Sequence, residues 1–262
     1  MLRSLRTAAL GMSAQQLNID IISNNLANVN TNGYKKTKLE FQDLLYETLN
    51  VGNSEKSEGF EKPAEIQIGL GNRAVSTYRS FSQGEIEQTG NPLDVAINGR
   101  GFFQVQKPDG TIAYSRDGAF RVNADGNIVN GSGYLLYPEI VIPENASSIK
   151  IDKNGVIYVL YEDQAEPEEI GQVELAMFMN PAGLKPIGEN LFVETDASGS
   201  PVFGTPGEEG FGELHQGYLE KSNVDVVQEM INLIVAQRAY EVNSRVVRTA
   251  DEILRMTNAL KR

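Results

Sequence analysis

The spacing of apolar positions along the chain divides it into three stretches. From Asp225 to Leu260 there is no Gly and no Pro, and apolar residues recur at alternating steps of four and three. One seam runs Val235, Ala239, Val242, Val246, Thr249, Ile253, Met256, Leu260; beside it runs Ala236, Tyr240, Asn243, Val247, Ala250, Leu254, Thr257. A 3.5-residue period puts both seams on one side of a helix. At about 1.5 Å per residue that helix is a rod roughly 54 Å long, against about 11–12 residues for an average globular helix. Residues 1–28 carry the same rhythm through Leu2, Leu5, Ala9, Met12, Gln16, Ile19, Ser23 and Leu26. That run stops at Asn30-Thr31-Asn32-Gly33, whose Gly can take the positive φ that ends helices.

Between the two helical stretches the pattern shortens. Tyr34-Lys35-Lys36-Thr37-Lys38 followed by Leu39, Phe41, Leu44, Leu45 and Leu49 makes a short amphipathic segment, and residues 50–64 are a polar loop with Gly52, Gly59 and Pro63. From Ile66 the character is β. Of the 25 Gly, all but Gly11 and Gly33 lie between positions 46 and 224, as do all ten Pro. Asp109-Gly110, Asp117-Gly118, Asp125-Gly126 and Asn154-Gly155 separate the runs Phe102 to Val105, Ala119 to Val122, Ile128 to Val129 and Val156 to Tyr161, which predicts hairpins. A second β stretch spans Val173 to Val193. Residues 198–212 lead back to the last helix, where Asp225 and Gln228 stand at capping-box spacing.

The expected fold is therefore α+β: long N- and C-terminal helices paired as a coiled coil, with a β-rich, mostly antiparallel central domain looped out between them. Residues 1–33 and 222–262 form the helical domain, 34–75 and 205–221 the connecting segments, and 76–204 the outer β domain. The seam is weak, because Gln16, Ser23, Asn243 and Thr249 interrupt it and Ala9, Ala239 and Ala250 are small. A fully buried large apolar side chain contributes about 1.5–3 kcal/mol, and one helix pair cannot bury it fully. The helices are thus expected to pack against further copies through Leu2, Leu5, Ala9, Met12, Ile19, Leu26, Val235, Ala239, Val242, Val246, Ile253, Met256 and Leu260. A cluster of amides, Gln15, Gln16, Asn18, Asn24, Asn25, Asn28, Asn30 and Asn32, crowds the second half of the first helix and the turn after it. Asn is a poor helix former at a surface, so Gln16, Asn24, Asn25 and Asn28 are expected to fix register between subunits, as polar seam residues do.

Composition narrows the chemistry. There is no Cys and one His, His215, which excludes disulfides, thiolate sites and His-rich metal sites; no cofactor, metal or catalytic residue is expected. The net charge of −12 argues against nucleic acid and anionic membranes as partners. No apolar run approaches the about 18 residues of a membrane span, so no membrane insertion is expected. Arg3 and Arg6 precede a short apolar stretch, but Gln15-Gln16 and Asn18 break any signal-peptide core, and no cleavage is expected. The remaining motifs have plain readings. Gly99-Arg100-Gly101 lacks the third Gly and the following helix of a dinucleotide site. Asn123-Ala124-Asp125-Gly126 and Asp152-Lys153-Asn154-Gly155 lack the outer ligands of a calcium loop and are turns. Glu166-Pro167-Glu168-Glu169 and Glu208-Glu209 are charged loops rather than a glycosidase pair. Asn130-Gly131-Ser132 and Asn145-Ala146-Ser147 match a glycosylation sequon that short sequences often match by chance.

Several longer stretches carry a resemblance. Ala14-Gln15-Gln16 and Ile22-Ser23-Asn24-Asn25-Leu26-Ala27-Asn28-Val29-Asn30-Thr31-Asn32-Gly33-Tyr34-Lys35 resemble the N-terminal signature of bacterial flagellar rod and hook proteins. Ser82-Gln83-Gly84, Thr89 to Ile97, Gly99-Arg100-Gly101-Phe102-Phe103 and Tyr114 to Phe120 resemble that family's central motif, and Asn223 to Glu241 its C-terminal signature. Length and the Arg3-Ser4-Leu5 opening are most similar to the members that build the distal rod; proximal rod and hook proteins are the alternatives. A third reading, from a different class, is a secreted β-rich carbohydrate-binding protein or enzyme with a coiled-coil handle. The resemblance implies a structural axial subunit, exported through the flagellar export apparatus without a cleaved signal. Its copies would assemble into a helical homopolymer that forms a periplasm-spanning drive shaft carrying motor torque to the hook. It implies as partners the chain itself, proximal rod proteins, the hook protein, and the P-ring and L-ring proteins. It also implies that the stretch from about Lys35 to Asn72 separates a stiff rod from a flexible hook.

Overall fold

A computed structural model describes residues 2–49, 66–161 and 166–259, without the side chains of Leu2, Leu49 and Ile66. The 50–64 loop and Leu260 lie outside the described residues. Both helices form where the 3.5-residue rhythm places them: α1 spans Leu2–Ala27 and α2 spans Val226–Ala259, opening immediately after Asp225. Gly33 closes the turn after α1 at φ 66°.

The chain divides into two units. The first comprises Met1–Leu26, Thr37–Tyr78 and Val226–Arg262. Within it the segment after α1 is extended: β1 (Thr37–Asp43) lies against β4 (Asn72–Arg79), and β2 (Tyr46–Leu49) pairs antiparallel with β3 (Ile66–Gly69). Side chains of Leu44 and Leu45 fall where β1 gives way to β2, so the apolar run read as one amphipathic segment is two strands with a break between them. The helices meet at Gly11, where a Cβ would come within 2.8 Å of Asn243 Nδ2. An open groove beside that contact is lined by Arg3, Ser4, Thr7 and Ala8 of α1, Ile68 and Gly69 of β3, and Asn243 and Val246 of α2. Residues before Gly11 thus share a groove with Val246, which follows Asn243, and that is the order antiparallel helices give.

The second unit comprises Ala27–Lys36 and Arg79–Asp225. The connecting segments expected at 34–75 and 205–221 thus distribute between the two units: 37–75 with the helices, 34–36 and 205–221 with the β-rich part. Its strands are β5 (Ile86–Gln88), β6 (Val95–Asn98), β7 (Phe102–Gln106), β8 (Ile112–Ser115), β9 (Arg121–Val122), β10 (Ile128–Val129), β11 (Leu135–Tyr137), β12 (Ala146–Ile151), β13 (Val156–Tyr161), β14 (Glu168–Gln172), β15 (Leu175–Met177), β16 (Lys185–Gly188), β17 (Leu191–Val193), β18 (Val202–Gly204), β19 (Glu213–Gln216) and β20 (Tyr218–Glu220). The largest sheet runs β16-β17-β8-β7-β11-β10-β9, with β15 joining β7 to β18; β12-β13-β14 form a second sheet, and β19 with β6 and β20 with β5 form two-stranded pairs. All these pairings are antiparallel.

Three of the four expected hairpins are present. Asp109-Gly110 joins β7 to β8, Asp125-Gly126 joins β9 to β10, and Asn154-Gly155 joins β12 to β13, with φ 81°, 86° and 81° at the glycines. Asp117-Gly118 is a correction. The strands flanking it, β8 and β9, do not pair; β8 lies between β7 and β17. Gly118 instead passes against Val95, whose N–H donates to the Gly118 carbonyl at 3.0 Å.

Strand alternation feeds different apolar clusters, among them these two. On β7, Phe103 enters the larger core with Ile97, Phe120, Ile157, Leu175 and Leu214, while Phe102 turns to an aromatic cluster with Tyr114, Phe178 and Phe192. The Tyr114 and Phe178 rings meet edge to face at 4.8 Å.

Candidate functional site

The two units are stabilised differently, and the difference bears on the predicted assembly residues. On the helices, among the described residues, the buried apolar side chains are Ala8, Ala14, Ile22, Ala236 and Ala250. Four of these five are alanines, so the inward faces bury little apolar area. The expected seam lies beside that line. On α1, Leu5, Met12, Ile19 and Leu26 are half-buried and Ala9 is exposed. On α2, Ala239 is half-buried, while Val235 (62 % exposed), Val242 (57 %), Val246, Ile253 and Met256 (59 %) face solvent. Val227, Met230, Ile231 and Ile234 extend the exposed stripe towards the start of α2. The companion seam is the inward one: Ala236 and Ala250 are buried, and Asn243, Val247 and Leu254 half-buried.

The amide cluster divides. Gln16 and Asn24 are exposed, Asn28 is half-buried and accepts a hydrogen bond from Thr31 Oγ1 at 3.2 Å, and Asn25 is buried. Asn25 Nδ2 donates to the Thr37 carbonyl and Asn25 Oδ1 accepts from the Thr37 N–H, both at 2.9 Å. Its side chain imitates a strand partner and anchors the start of β1 to α1.

In the β-rich unit the structure brings together charges that the sequence did not join. Lys35, Arg116 and Glu220 are almost fully buried. Lys35 Nζ donates to Glu220 Oε1 at 2.5 Å and to the Ser82 carbonyl at 2.8 Å. Arg116 Nε donates to Glu220 Oε2 at 2.8 Å, and Nη2 lies 2.7 Å from the same oxygen as an ion pair. Its Nη1 donates to the carbonyls of Gly99 and Gly101, and Nη2 to that of Ile97. Four of the five guanidinium N–H groups thus donate hydrogen bonds, and the whole group is paired with the carboxylate. Glu220 Oε1 takes a further bond from the Gly84 N–H at 2.8 Å. Gly84 must be Gly, since a Cβ there would stand 2.1 Å from the Lys221 carbonyl oxygen.

Two cations around one carboxylate leave a net positive charge, which the carbonyls of Ser82, Ile97, Gly99 and Gly101 offset with their dipoles. Burial pulls the Lys35 ammonium below its ordinary range, against the pull of Glu220, and the Arg116 charge lowers it further. Around the knot, Gly33 N–H donates to the Glu220 carbonyl, Lys36 N–H to Asn223 Oδ1, and Asn223 N–H to the Tyr34 carbonyl. The segment leaving α1 and the segment entering α2 are therefore stitched to each other. Lys35, Gly84, Gly99, Gly101 and Arg116 all lie in motif stretches, but Glu220, which holds them together, is 185 residues from Lys35 and has no local signature.

Nothing in this arrangement is built for catalysis. The knot is closed by its own partners. Among the described residues no group of three or more His, Asp or Glu could hold a metal ion, and no helix is long and apolar enough to cross a membrane.

Three family models match the chain in order: a flagella basal body rod protein model over residues 5–35, the flagellar hook protein FlgE/F/G D1 domain over 96–159, and the flagellar basal body rod FlgEFG protein C-terminal model over 215–260. The chain is 49 % identical over 261 residues to flagellar basal-body rod protein FlgG of Caulobacter vibrioides, covering 99 % of this chain and all of that one. It is 47 % identical over 264 residues to the FlgG of Borreliella burgdorferi, with both chains fully covered. Identity falls to 32 % over 275 residues, again with both fully covered, with the flagellar hook-basal body complex protein FlhP of Bacillus subtilis.

Proposed function

Because the chain belongs to the flagellar basal-body rod protein family, as a structural component of the rod rather than an enzyme, we propose that it polymerises through its terminal helices into the distal rod. In this reading α1 and α2 pair as an antiparallel coiled coil, and the exposed stripe of α2 packs against helices of neighbouring copies along the inner wall of a tube. The β-rich unit forms the outside. The finished shaft carries torque from proximal rod proteins to the hook protein and turns within the P-ring and L-ring proteins.

The observation that carries the reading is the stripe. Val235, Val242, Val246, Ile253 and Met256 are exposed along one seam of a helix whose buried apolar face is alanine. Covering each exposed remainder gains about 1 kcal/mol, and contiguous apolar surface of this extent marks an interaction site. The test is Val235→Asp with Val242→Asp. Cells carrying the variant should lack the distal rod in electron micrographs and should not swim, while the purified chain keeps the urea midpoint of its β-rich unit. Normal rods from the double variant would overturn the proposal.

A further inference from the structure

Four asparagines precede glycine in this chain: Asn32, Asn98, Asn130 and Asn154. At three of them the following N–H is held. Gly33 N–H donates to the Glu220 carbonyl at 2.8 Å, Gly99 N–H to Gln83 Oε1 at 3.1 Å, and Gly155 N–H to the Asp152 carbonyl at 2.9 Å. Gly131 is different. Its N–H has no acceptor among the described residues, it is exposed, and a Cβ built on it would meet nothing within 4 Å. The side chain before it is also polarised: Asn130 Oδ1 accepts from the Ser132 N–H at 3.0 Å and from the Tyr134 N–H at 2.9 Å.

We propose that Asn130 is a self-modification site, deamidating through a succinimide formed with Gly131. The Gly131 nitrogen gives its proton to solvent base and attacks Asn130 Cγ. The N–Cγ bond forms, the Cγ–Nδ2 bond breaks, and Nδ2 leaves as ammonia with a proton from water. While Cγ is tetrahedral, negative charge collects on Oδ1, where two fixed backbone N–H groups already point; this is the geometry that stabilises an oxyanion. Water then opens the ring. Attack at Cγ gives aspartate; attack at the backbone carbonyl carbon gives isoaspartate, with one more methylene in the main chain. Both products add a negative charge.

The consequence is local and structural. Asn130 N–H donates to the Tyr134 carbonyl at 2.9 Å and closes the turn that pairs Val129 with Leu135. Isoaspartate lengthens that turn and pulls on Ile128 and Leu136, which sit in the larger core.

Incubation of the full chain in mildly alkaline buffer, followed by peptide mass mapping, tests the proposal. Position 130 should convert about tenfold faster than 32, 98 and 154, equivalent to about 1.4 kcal/mol of barrier, the scale of the one hydrogen bond the other glycines must first break. Gly131→Ala, placed in open space, should slow conversion at 130 while the fold persists by circular dichroism. Gln83→Ala frees the Gly99 N–H and should speed conversion at 98. In denaturant the four rates should converge. Equal rates in the folded chain, or an unchanged rate at 98 in the Gln83 variant, would overturn the proposal; so would an order that survives denaturant.

Discussion

Glu220→Gln should be the most damaging single change in the buried knot, because of what it leaves behind. The native cluster holds two cations and one anion within hydrogen-bonding distance. Removing the carboxylate's charge leaves Lys35 and Arg116 buried without a counter-ion, and the amide's NH2 would face donors. Breaking a buried pair in this way costs about 3–5 kcal/mol, against a total stability of about 5–15 kcal/mol for a domain. Lys35→Met acts oppositely. It leaves Arg116 and Glu220 as a neutral pair with its hydrogen bonds intact, and removes an ammonium whose burial already disfavours its charged form. Its cost should be limited to the lost bonds of one charged donor, about 1.5–3 kcal/mol, reduced by the desolvation it relieves. Arg116→Met should fall between them, since it keeps a neutral Lys35–Glu220 pair but strips donors from the carbonyls of Ile97, Gly99 and Gly101. Urea unfolding of the full chain, followed by circular dichroism, measures the order. If Glu220→Gln costs no more than Lys35→Met, the charge balance assigned to the knot is wrong.

Further outcomes follow from the same structure. Tyr114 holds its phenol proton up to about 12 because burial disfavours the phenolate, with the Glu194 charge adding to the effect. The unfolded chain releases that proton near the ordinary value of about 10, so between pH 10 and 12 the folded state binds more protons and stability falls as pH rises. Tyr114→Phe should flatten that part of a stability–pH curve, and an unchanged slope would refute the assignment. Asn25→Leu should cost about 1–3 kcal/mol and speed hydrogen exchange at the Thr37 amide; exchange there at the native rate would show that the double bond to Thr37 contributes nothing. Residues 46–224 carry a net charge of −15 while the two ends are slightly positive. Raising salt from about 10 mM to 150 mM, which shortens the screening length from about 30 to 8 Å, should therefore speed polymerisation, as monitored by light scattering.

Much of this was legible in the sequence where a periodicity carried it. The helices announced themselves through unbroken three-four steps, and three hairpins through Asp-Gly or Asn-Gly between apolar runs. The fourth, Asp117-Gly118, has the same letters for another reason. There the glycine is needed because a Cβ would stand 1.7 Å from the Val95 carbonyl oxygen, and composition alone does not separate a turn from a close crossing. The two seams could be placed on one side of α2, but choosing the inward one required knowing that Gly11 meets Asn243. Asn25 and Asn24 are adjacent and chemically identical, yet one is buried against Thr37 and the other is exposed. The ion knot was not legible because its members are distant in sequence and each looks like an ordinary surface charge.

The position of that knot explains how a subunit can carry an unfinished half without losing its fold. The helices bury mostly alanine and leave their larger side chains outside, so they sit at the low end of local stability. Their opening would spread along the chain unless something stopped it. Two of the places where the chain passes from the helices into the β-rich unit are the segment after Leu26 and the segment before Val226, and these are bonded to each other through Gly33, Tyr34, Lys36, Glu220 and Asn223. Beneath them Glu220 is fixed by two buried cations. Fraying that reaches Gly33 must expose the Lys35 pair before it can advance, and that step carries the desolvated charges as its barrier. The β-rich unit can therefore stay folded while the helices fray, as the proposed assembly through their exposed stripe requires.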